Sequence, residues 1–406
     1  MTKRGREELE EAITDLPPNW KSDVLHELEN LTPAGRAALL AHLLQELDVS
    51  DREIKRARTN LVPSFSDAKW ATVADQLGLH RNPGLVELDH FSPPNCVLPP
   101  SMLKSMFKEG WKFMDVYKEK TAQTREATRT KLLEPVLVPI IALFEGRIVD
   151  KPDPPMQATR YSSGGAVEHE IVAIGGVLFF VVEMKLVLGN ENIAQIFLQL
   201  LAAAEANGQV AGYGDLRVCG LLTDLTTFRF FTYCPIEMKF YEDQENYIAN
   251  VTRELFFKDM IKISNKILSV LMYGYIESLQ ATVAHSKARA HNGDISSSKL
   301  GSSIPHQQIS EVSTSYSASQ NEQHPSLSAW ENGLAKAEEC YAALQKCYLE
   351  KDLDQLEESA TKALVMLTDS VRLLPRVSKG YTGPEWGPGH DGNTGRNGRQ
   401  GNEGME

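Results

Sequence analysis

A charged pair ends a long apolar run of the chain. Residues 177–185, VLFFVVEMK, contain six apolar residues followed by Glu183 and Lys185. Because successive side chains of a strand point to opposite faces, Glu183 and Lys185 share one face of any strand formed here. A strand that is apolar on both faces is normally covered on both sides, so these charges risk burial, which is unfavourable unless they are paired or bind an ion. The two residues are therefore candidates for chemistry.

A second acidic residue precedes this pair on a neighbouring strand. Glu170 lies thirteen residues before Glu183 and opens the apolar run EIVAI, and Gly175-Gly176 between the two runs is a hairpin-turn signal. If the strands pair, the two carboxylates lie at one sheet edge, where they can share a hard divalent cation such as Mg²⁺, or Mn²⁺ in its place. Phosphodiester hydrolysis needs this arrangement, because the ion activates a water while an adjacent lysine orients that water or stabilises developing charge.

Two glutamines follow on the next predicted helix. Asn190 is a helix-capping residue type, Asn207-Gly208 is a stop signal, and the residues between them carry an apolar stripe. Gln195 and Gln199 are four residues apart, so they lie on one face of this helix. In that position they can hold the water or the substrate backbone.

The elements that position these residues alternate between helix and strand. An apolar helical pattern at residues 132–144 is followed by strand patterns at 167–174 and 177–186 and then by the glutamine-bearing helix. The runs LRVCGLL and TFRFFTY are two further strands, and residues 247–290 return to a helical pattern. This order predicts an α/β sandwich around a mixed sheet.

The same order resembles the restriction-endonuclease-like PD-(D/E)XK nuclease superfamily. The runs EHEIVAIGGVLFFVVEMKLVLGNENIAQIFLQLLAAAEANG and VCGLLTDLTTFRFF more closely resemble fungal proteins of uncharacterised function that carry such a domain, and the likeness covers residues 120–280. It implies a restriction-endonuclease-like mixed sheet flanked by helices. It also implies a Mg²⁺- or Mn²⁺-dependent nuclease that acts on nucleic acid, with DNA as the expected substrate.

The resemblance assigns roles to individual residues. Glu170 takes the place of the usual strand aspartate and, with Glu183, is a metal ligand, although Glu168 competes for that place from the same face of the strand. Glu126, in TREATR, matches the acid found on the first helix. Pro152-Asp153 lies in a proline-rich loop and is interpreted as a chance match to the motif's name. The residues expected in the catalytic site are Glu170, Glu183, Lys185, Gln195 and Gln199.

Charge limits how nucleic acid can bind. The 406-residue chain has 42% hydrophobic residues and a net charge of -12, so a polyanion must be bound by a local basic surface. Residues 101–131 supply one, with eight Lys or Arg residues against four acids and with aromatic residues interleaved. Phosphate contacts are one interpretation of this basic segment, and the solvated face of an amphipathic helix is the other.

The rest of the chain divides by composition. The five scattered cysteines form no CxxC pair, and no apolar signal core or apolar run of membrane-spanning length is evident, which favours an intracellular protein, nuclear or cytoplasmic, without a membrane partner. His169, between two acids, is interpreted as a surface residue. The expected units are a helical N-terminal unit at 1–60, a connector at 61–100, the nuclease-like domain at 101–285, a disordered linker at 286–326, a helical hairpin at 327–376 and a disordered Gly-rich tail at 377–406.

A second functional class fits the same sequence. The chain is then a catalytically inactive module with the nuclease fold, which serves as a protein-interaction or nucleic-acid-binding scaffold. The acidic net charge favours this interpretation. The helical patterns near both termini are the candidate surfaces for protein partners.

Overall fold

A computed structural model describes residues 62–210, 212–248, 252–297 and 326–377 of the chain. The predicted helical unit at 1–60 lies outside the described residues. Residues 298–325 of the predicted linker and residues 378–406 of the predicted tail lie outside them as well.

A mixed eight-stranded sheet forms the centre of the described protein, in the order β1-β9-β8-β7-β6-β5-β2 with β10 beside β8. The β6–β7 and β1–β9 pairs are parallel, and the other neighbours are antiparallel. Strands β3 and β4 form a separate two-stranded sheet. The strands are β1 (Asp89–His90), β2 (Ile148–Pro152), β3 (Pro155–Met156), β4 (Gly165–Ala166), β5 (His169–Ala173), β6 (Val177–Met184), β7 (Val218–Thr223), β8 (Thr227–Cys234), β9 (Lys239–Glu242) and β10 (Asn246–Tyr247).

Helices cover both faces of the sheet, which confirms the predicted α/β sandwich around a mixed sheet. The helices are α1 (Trp70–Leu77), α2 (Pro100–Tyr117), α3 (Glu126–Thr130), α4 (Glu134–Ala142), α5 (Asn190–Gly208), α6 (Arg253–Ser297), α7 (Leu327–Cys347) and α8 (Leu353–Arg372). On one face, Leu178 and Val181 of β6 pack with α5 and α1. On the other, Val182 and Met184 pack with α2, α4, α6 and the C-terminal helices. All eight residues of β6 are buried, as expected for a strand covered on both sides.

The hairpin between β5 and β6 sets the register of the candidate site. Gly175 and Gly176 have φ values of 84° and 79°, a backbone region that favours glycine. A bulge then shifts the pairing between Ile171 and Val172. Beyond it His169 pairs with Val182, so the next position along each strand brings residue 168 beside residue 183.

The C-terminal helices α7 and α8 form the predicted hairpin and share the main core. Cys340, Leu344 and Leu367 are buried in the same apolar cluster as α6 and the sheet. Tyr275 Oη lies 3.2 Å from Ser370 Oγ, which adds a buried polar contact between α6 and α8. The hairpin is therefore part of the packing of the α/β unit.

Two segments are more structured than their composition indicates. The predicted connector contains α1, whose buried Trp70, Val73 and Ala74 pack against α5. Helix α6 continues through residues 286–297, which the sequence assigns to the linker. Lys287 pairs with Glu331 of α7 at 2.8 Å, and the alanine and arginine residues that follow are good helix formers.

One described helix has the length and composition of a membrane span. The stretch Arg253–Ala288 of α6 contains a window with a mean hydropathy of 1.2, although the sequence analysis found no such run. However, 72% of that window is buried inside the protein. A core helix passes the same test, so this feature is weak evidence for a membrane.

Candidate active site

Glu183 lies near the end of β6 with only 2% of its surface exposed. Gln195 Nε2 donates to Glu183 Oε1 at 2.6 Å, and Gln199 Nε2 donates to Oε2 at 2.7 Å. Both glutamines are buried on α5, one turn apart. Burial raises the pKa of Glu183, and the nearby Lys185 ammonium and the Gln199 amide oppose that rise because they favour the charged form. The structure thus brings both predicted glutamines to the predicted acid.

Lys185 joins two acids at this point. Its Nζ lies 2.7 Å from Glu183 Oε1 and 3.3 Å from Glu126 Oε2. The lysine side chain is 12% exposed and that of Glu183 is 3% exposed, so this is not a solvated surface pair. Burial lowers the pKa of Lys185, but the Glu183 and Glu126 carboxylates outweigh it, so the pKa is raised overall.

Glu168 is the second acid beside Glu183. Its Oε2 accepts a hydrogen bond from the main-chain N of Met184 at 2.6 Å and one from Thr130 Oγ1 at 3.4 Å. Burial and the charge of Glu183 raise the pKa of Glu168 to about 8. Two carboxyl groups that are removed from water and repel each other do not both ionise readily at neutral pH without a compensating cation.

The structure does not bring Glu170 into this cluster. Glu170 pairs with Val181, two pairs further from the end of β6, which places it roughly 7 Å along the strand from Glu168. It lines a cavity with Lys151 and Glu205. Burial raises its pKa and Lys151 opposes that rise. Of the two glutamates that compete in the sequence, Glu168 therefore occupies the position beside Glu183.

Arg129 is a residue of this site that the sequence analysis did not single out. It is buried, with 7% exposure. Its Nη1 donates to the carbonyl oxygens of Lys185 (3.1 Å), Leu186 and Asp224 (3.4 Å), and its Nη2 donates to that of Lys120 (3.2 Å). No short motif marks such a residue, because its acceptors are main-chain oxygens of distant segments.

The structure divides the basic segment at 101–131 into groups. Arg129 is buried, Lys112 pairs with Glu109 at 2.7 Å, and Lys131 pairs with Glu134 at 2.6 Å. Within the described part of the chain, the remaining cations form no ion pair shorter than 4.0 Å. These are Lys104, Lys108, Lys118, Lys120 and Arg125.

The prediction that His169 is a surface residue is wrong: it is buried at 5% exposure, and its Nδ1 lies 2.8 Å from Asp150 Oδ2, because β2 and β6 enclose β5 on both sides. Asp224 is a turn residue, and its Oδ1 accepts from the main-chain N atoms of Thr226 and Thr227 at 2.8 and 2.9 Å.

The acids of the cluster match a hard divalent ion in donor type. Glu168 and Glu183 offer carboxylate oxygens, the ligands that Mg²⁺ and Mn²⁺ prefer, and the raised pKa of Glu168 reflects its burial and, after that, the nearby negative charge of Glu183, which a cation would offset. Gln199 Oε1 is buried and has no hydrogen-bond donor among the described residues. In the same part of the chain, no group of three or more His, Cys, Asp or Glu side chains is arranged to hold a metal ion. A metal here would therefore rest on two protein carboxylates.

Comparison with protein-family models and with curated proteins finds no match to this chain.

Proposed function

We propose that the chain is a metal-dependent nuclease-like protein of the PD-(D/E)XK type that hydrolyses phosphodiester bonds, with DNA as its substrate. The observation that carries the proposal is the meeting of Glu168, Glu183 and Lys185 at the end of β6. The burial of Glu183 and the half-burial of Glu168 and Lys185 support it as well, because charged groups withdrawn from water are retained at a cost in stability and are enriched at functional sites.

Each side chain has a distinct part in the proposed reaction. Glu168 and Glu183 would hold Mg²⁺ or Mn²⁺, and such an ion, when bound, supplies an activated water and neutralises charge on the phosphate. Lys185 orients the water or stabilises the charge that develops on the phosphate oxygens. Gln195 and Gln199 donate to both oxygens of Glu183, which fixes the direction of its carboxylate.

Glu126 supports Lys185 from the other side. At 3.3 Å its carboxylate keeps the ammonium charged and limits its movement. The proposal assigns the first acidic position to Glu168 because its carboxyl lies beside Glu183, whereas Glu170 faces a separate cavity.

The unpaired cations of the basic segment favour a nucleic-acid substrate. Lys120 lies next to the site, since its carbonyl oxygen is bound by the same Arg129 that binds the carbonyl of Lys185. Lys104 and Lys108 are on α2, which precedes it in the chain. In a protein of net charge -12, these residues would supply the local positive charge that phosphate binding requires.

A specific observation also favours the catalytically inactive scaffold. Both oxygens of Glu183 already accept hydrogen bonds from protein groups, so the cluster can exist as a structural network without a metal. Under this second proposal the fold binds nucleic acid or proteins without cleavage. The predicted use of terminal helices for protein partners belongs to this alternative.

Cleavage of supercoiled plasmid by the purified chain tests the nuclease proposal. We expect nicking that needs Mg²⁺ or Mn²⁺, stops with a chelator, and falls by about 10²–10³-fold in Lys185→Ala. Lys151→Ala is the matched control, because Lys151 is an exposed lysine on β2, which is separated from β6 by β5, and it should cleave at the wild-type rate. Equal nicking by all three proteins would identify a contaminating nuclease and refute the proposal. Plasmid binding without cleavage by a folded sample would favour the scaffold.

A further inference from the structure

We infer that Arg129 is a positioning residue for Lys185. It binds the main chain at the end of β6, and the inference rests on the proposed function for its catalytic consequence. The evidence is the location of the acceptors, which come from three separate segments.

The guanidinium of Arg129 joins segments that are far apart in sequence. Its acceptors are the carbonyl oxygens of Lys185 and Leu186 at the end of β6, of Asp224 in the β7–β8 turn, and of Lys120 in the turn after α2. These are places where strands and helices end and where carbonyl groups lack partners from regular secondary structure. Arg129 therefore fixes the backbone from which the Lys185 side chain departs.

The charge of Arg129 is not explained by a short ion pair. Among the described residues no carboxylate lies within 4.0 Å of its guanidinium, and its Nε has no acceptor. Burial lowers the pKa of Arg129, and the more distant charges of Asp224 and Glu126 oppose that effect. Burial of a cation is unfavourable unless hydrogen bonds offset the loss of water, and here the hydrogen bonds of Arg129 go to main-chain carbonyl oxygens. Only arginine offers a planar fork of donors that can serve several carbonyls together.

Helix α3 holds Lys185 at two points. Glu126, at the start of this helix, contacts the lysine Nζ at 3.3 Å, while Arg129, three residues later, binds the lysine carbonyl at 3.1 Å. The next residue, Thr130, donates to Glu168 Oε2 at 3.4 Å. One short helix thus fixes both ends of the lysine and contacts the acid beside it.

Comparison of Arg129→Gln and Arg129→Lys with the wild type tests the inference. The first readout is the rate of acetylation of the Lys185 amine in a chelator-containing buffer, followed by peptide mass spectrometry. Lys185 is held between two carboxylates, so we expect slow acetylation in the wild type and a rate at least about tenfold higher in Arg129→Gln. Arg129→Lys keeps the positive charge but lacks the planar set of guanidinium donors, so its rate of Lys185 acetylation should be intermediate. Arg160→Gln is the matched control, because Arg160 is exposed and its guanidinium lies over the Tyr161 ring.

The second readout is the kinetics of plasmid nicking. In Arg129→Gln we expect kcat to fall about 10- to 100-fold with an unchanged KM, because the lysine is misplaced while substrate binding persists. Lys185 acetylation at the wild-type rate in both Arg129 variants would overturn the inference whatever the cleavage result. Faster acetylation without any cleavage by the wild type would support the positioning role and refute the nuclease function.

Discussion

Replacement of Glu168 by glutamine should stabilise the metal-free protein near neutral pH. The pKa of Glu168 rises from 4.5 to about 8 because the group is buried beside Glu183. The folded protein therefore keeps a proton on Glu168 at pH 7, where the unfolded chain has released it. Glutamine keeps the shape and an oxygen for the main-chain N of Met184, but it does not titrate.

The size and sign of this effect follow from proton linkage. A raised folded-state pKa gives a contribution to stability that is fully present below pH 4.5 and is lost as the pH rises towards 8. At pH 7 the unfolded group is about 2.5 pH units above its pKa, so the wild type loses about 3 kcal/mol relative to the glutamine variant, at 1.36 kcal/mol for each unit. Above pH 8 the difference should level off near 5 kcal/mol.

Urea unfolding followed by circular dichroism, in a chelator and between pH 4.5 and 9, measures this difference. Glu87→Gln is the control, because Glu87 is an exposed carboxylate, and it should follow the wild type. The reasoning would be refuted if Glu168→Gln differed from the wild type by the same free energy at every pH, or if it were the less stable protein at pH 7.

Three further predictions follow from the same geometry. Glu183→Gln should lower the unfolding free energy of the metal-free protein, measured in urea melts, by about 3 kcal/mol. The new amide N–H₂ would face the amide donors of Gln195 and Gln199, and the Lys185 ammonium would lose its nearest carboxylate. An unchanged or higher unfolding free energy would contradict the hydrogen-bond network. Mn²⁺ binding, measured by calorimetry, should release about one proton from Glu168 and weaken about tenfold for each pH unit below 8, whereas pH-independent binding would place the ion elsewhere. Gly274→Ala should destabilise α6 packing by about 1–3 kcal/mol in thermal melts, because its Cβ would clash with the Phe179 ring. Gly208→Ala, with open space around it, should not destabilise, and equal effects of the two substitutions would contradict this packing.

The sheet and its helices could be predicted because their signals are local. The apolar run of β6, the glycine turn before it and the helix after it each occupy a short stretch of sequence, and the structure has all three in that order, although Gly189 and not Asn190 occupies the helix cap. Gln195 and Gln199 could be predicted for the same reason, since i and i+4 spacing fixes a shared helix face.

The partner of Glu183 could not be chosen from the sequence, because it depends on a bulge. Pairing counted outward from the glycine turn, where Ala173 meets Val177, would place Val167 opposite Glu183. The bulge moves the register by one residue, which turns Glu168 to the face of Glu183, and a one-residue shift of this kind reverses every side chain beyond it. No local sequence pattern indicates that shift of register.

Long-range polar contacts could not be predicted from the sequence either. Arg129 is one of eight cations in a basic segment, and only the folded chain shows that it is buried against four carbonyl oxygens. His169 has charged neighbours in sequence, yet its strand lies between two others. In both cases the environment is created by segments that are distant in the chain.

We propose that Glu168, and not Glu170, acts with Glu183 and Lys185. The rate of Mg²⁺-dependent plasmid nicking by Glu168→Gln and Glu170→Gln distinguishes these two residues, because the two variants make the same change only two residues apart, at the start of β5. We expect a loss of at least about a hundredfold in Glu168→Gln and a rate within about threefold of the wild type in Glu170→Gln. Full activity in Glu168→Gln together with loss of activity in Glu170→Gln would contradict it.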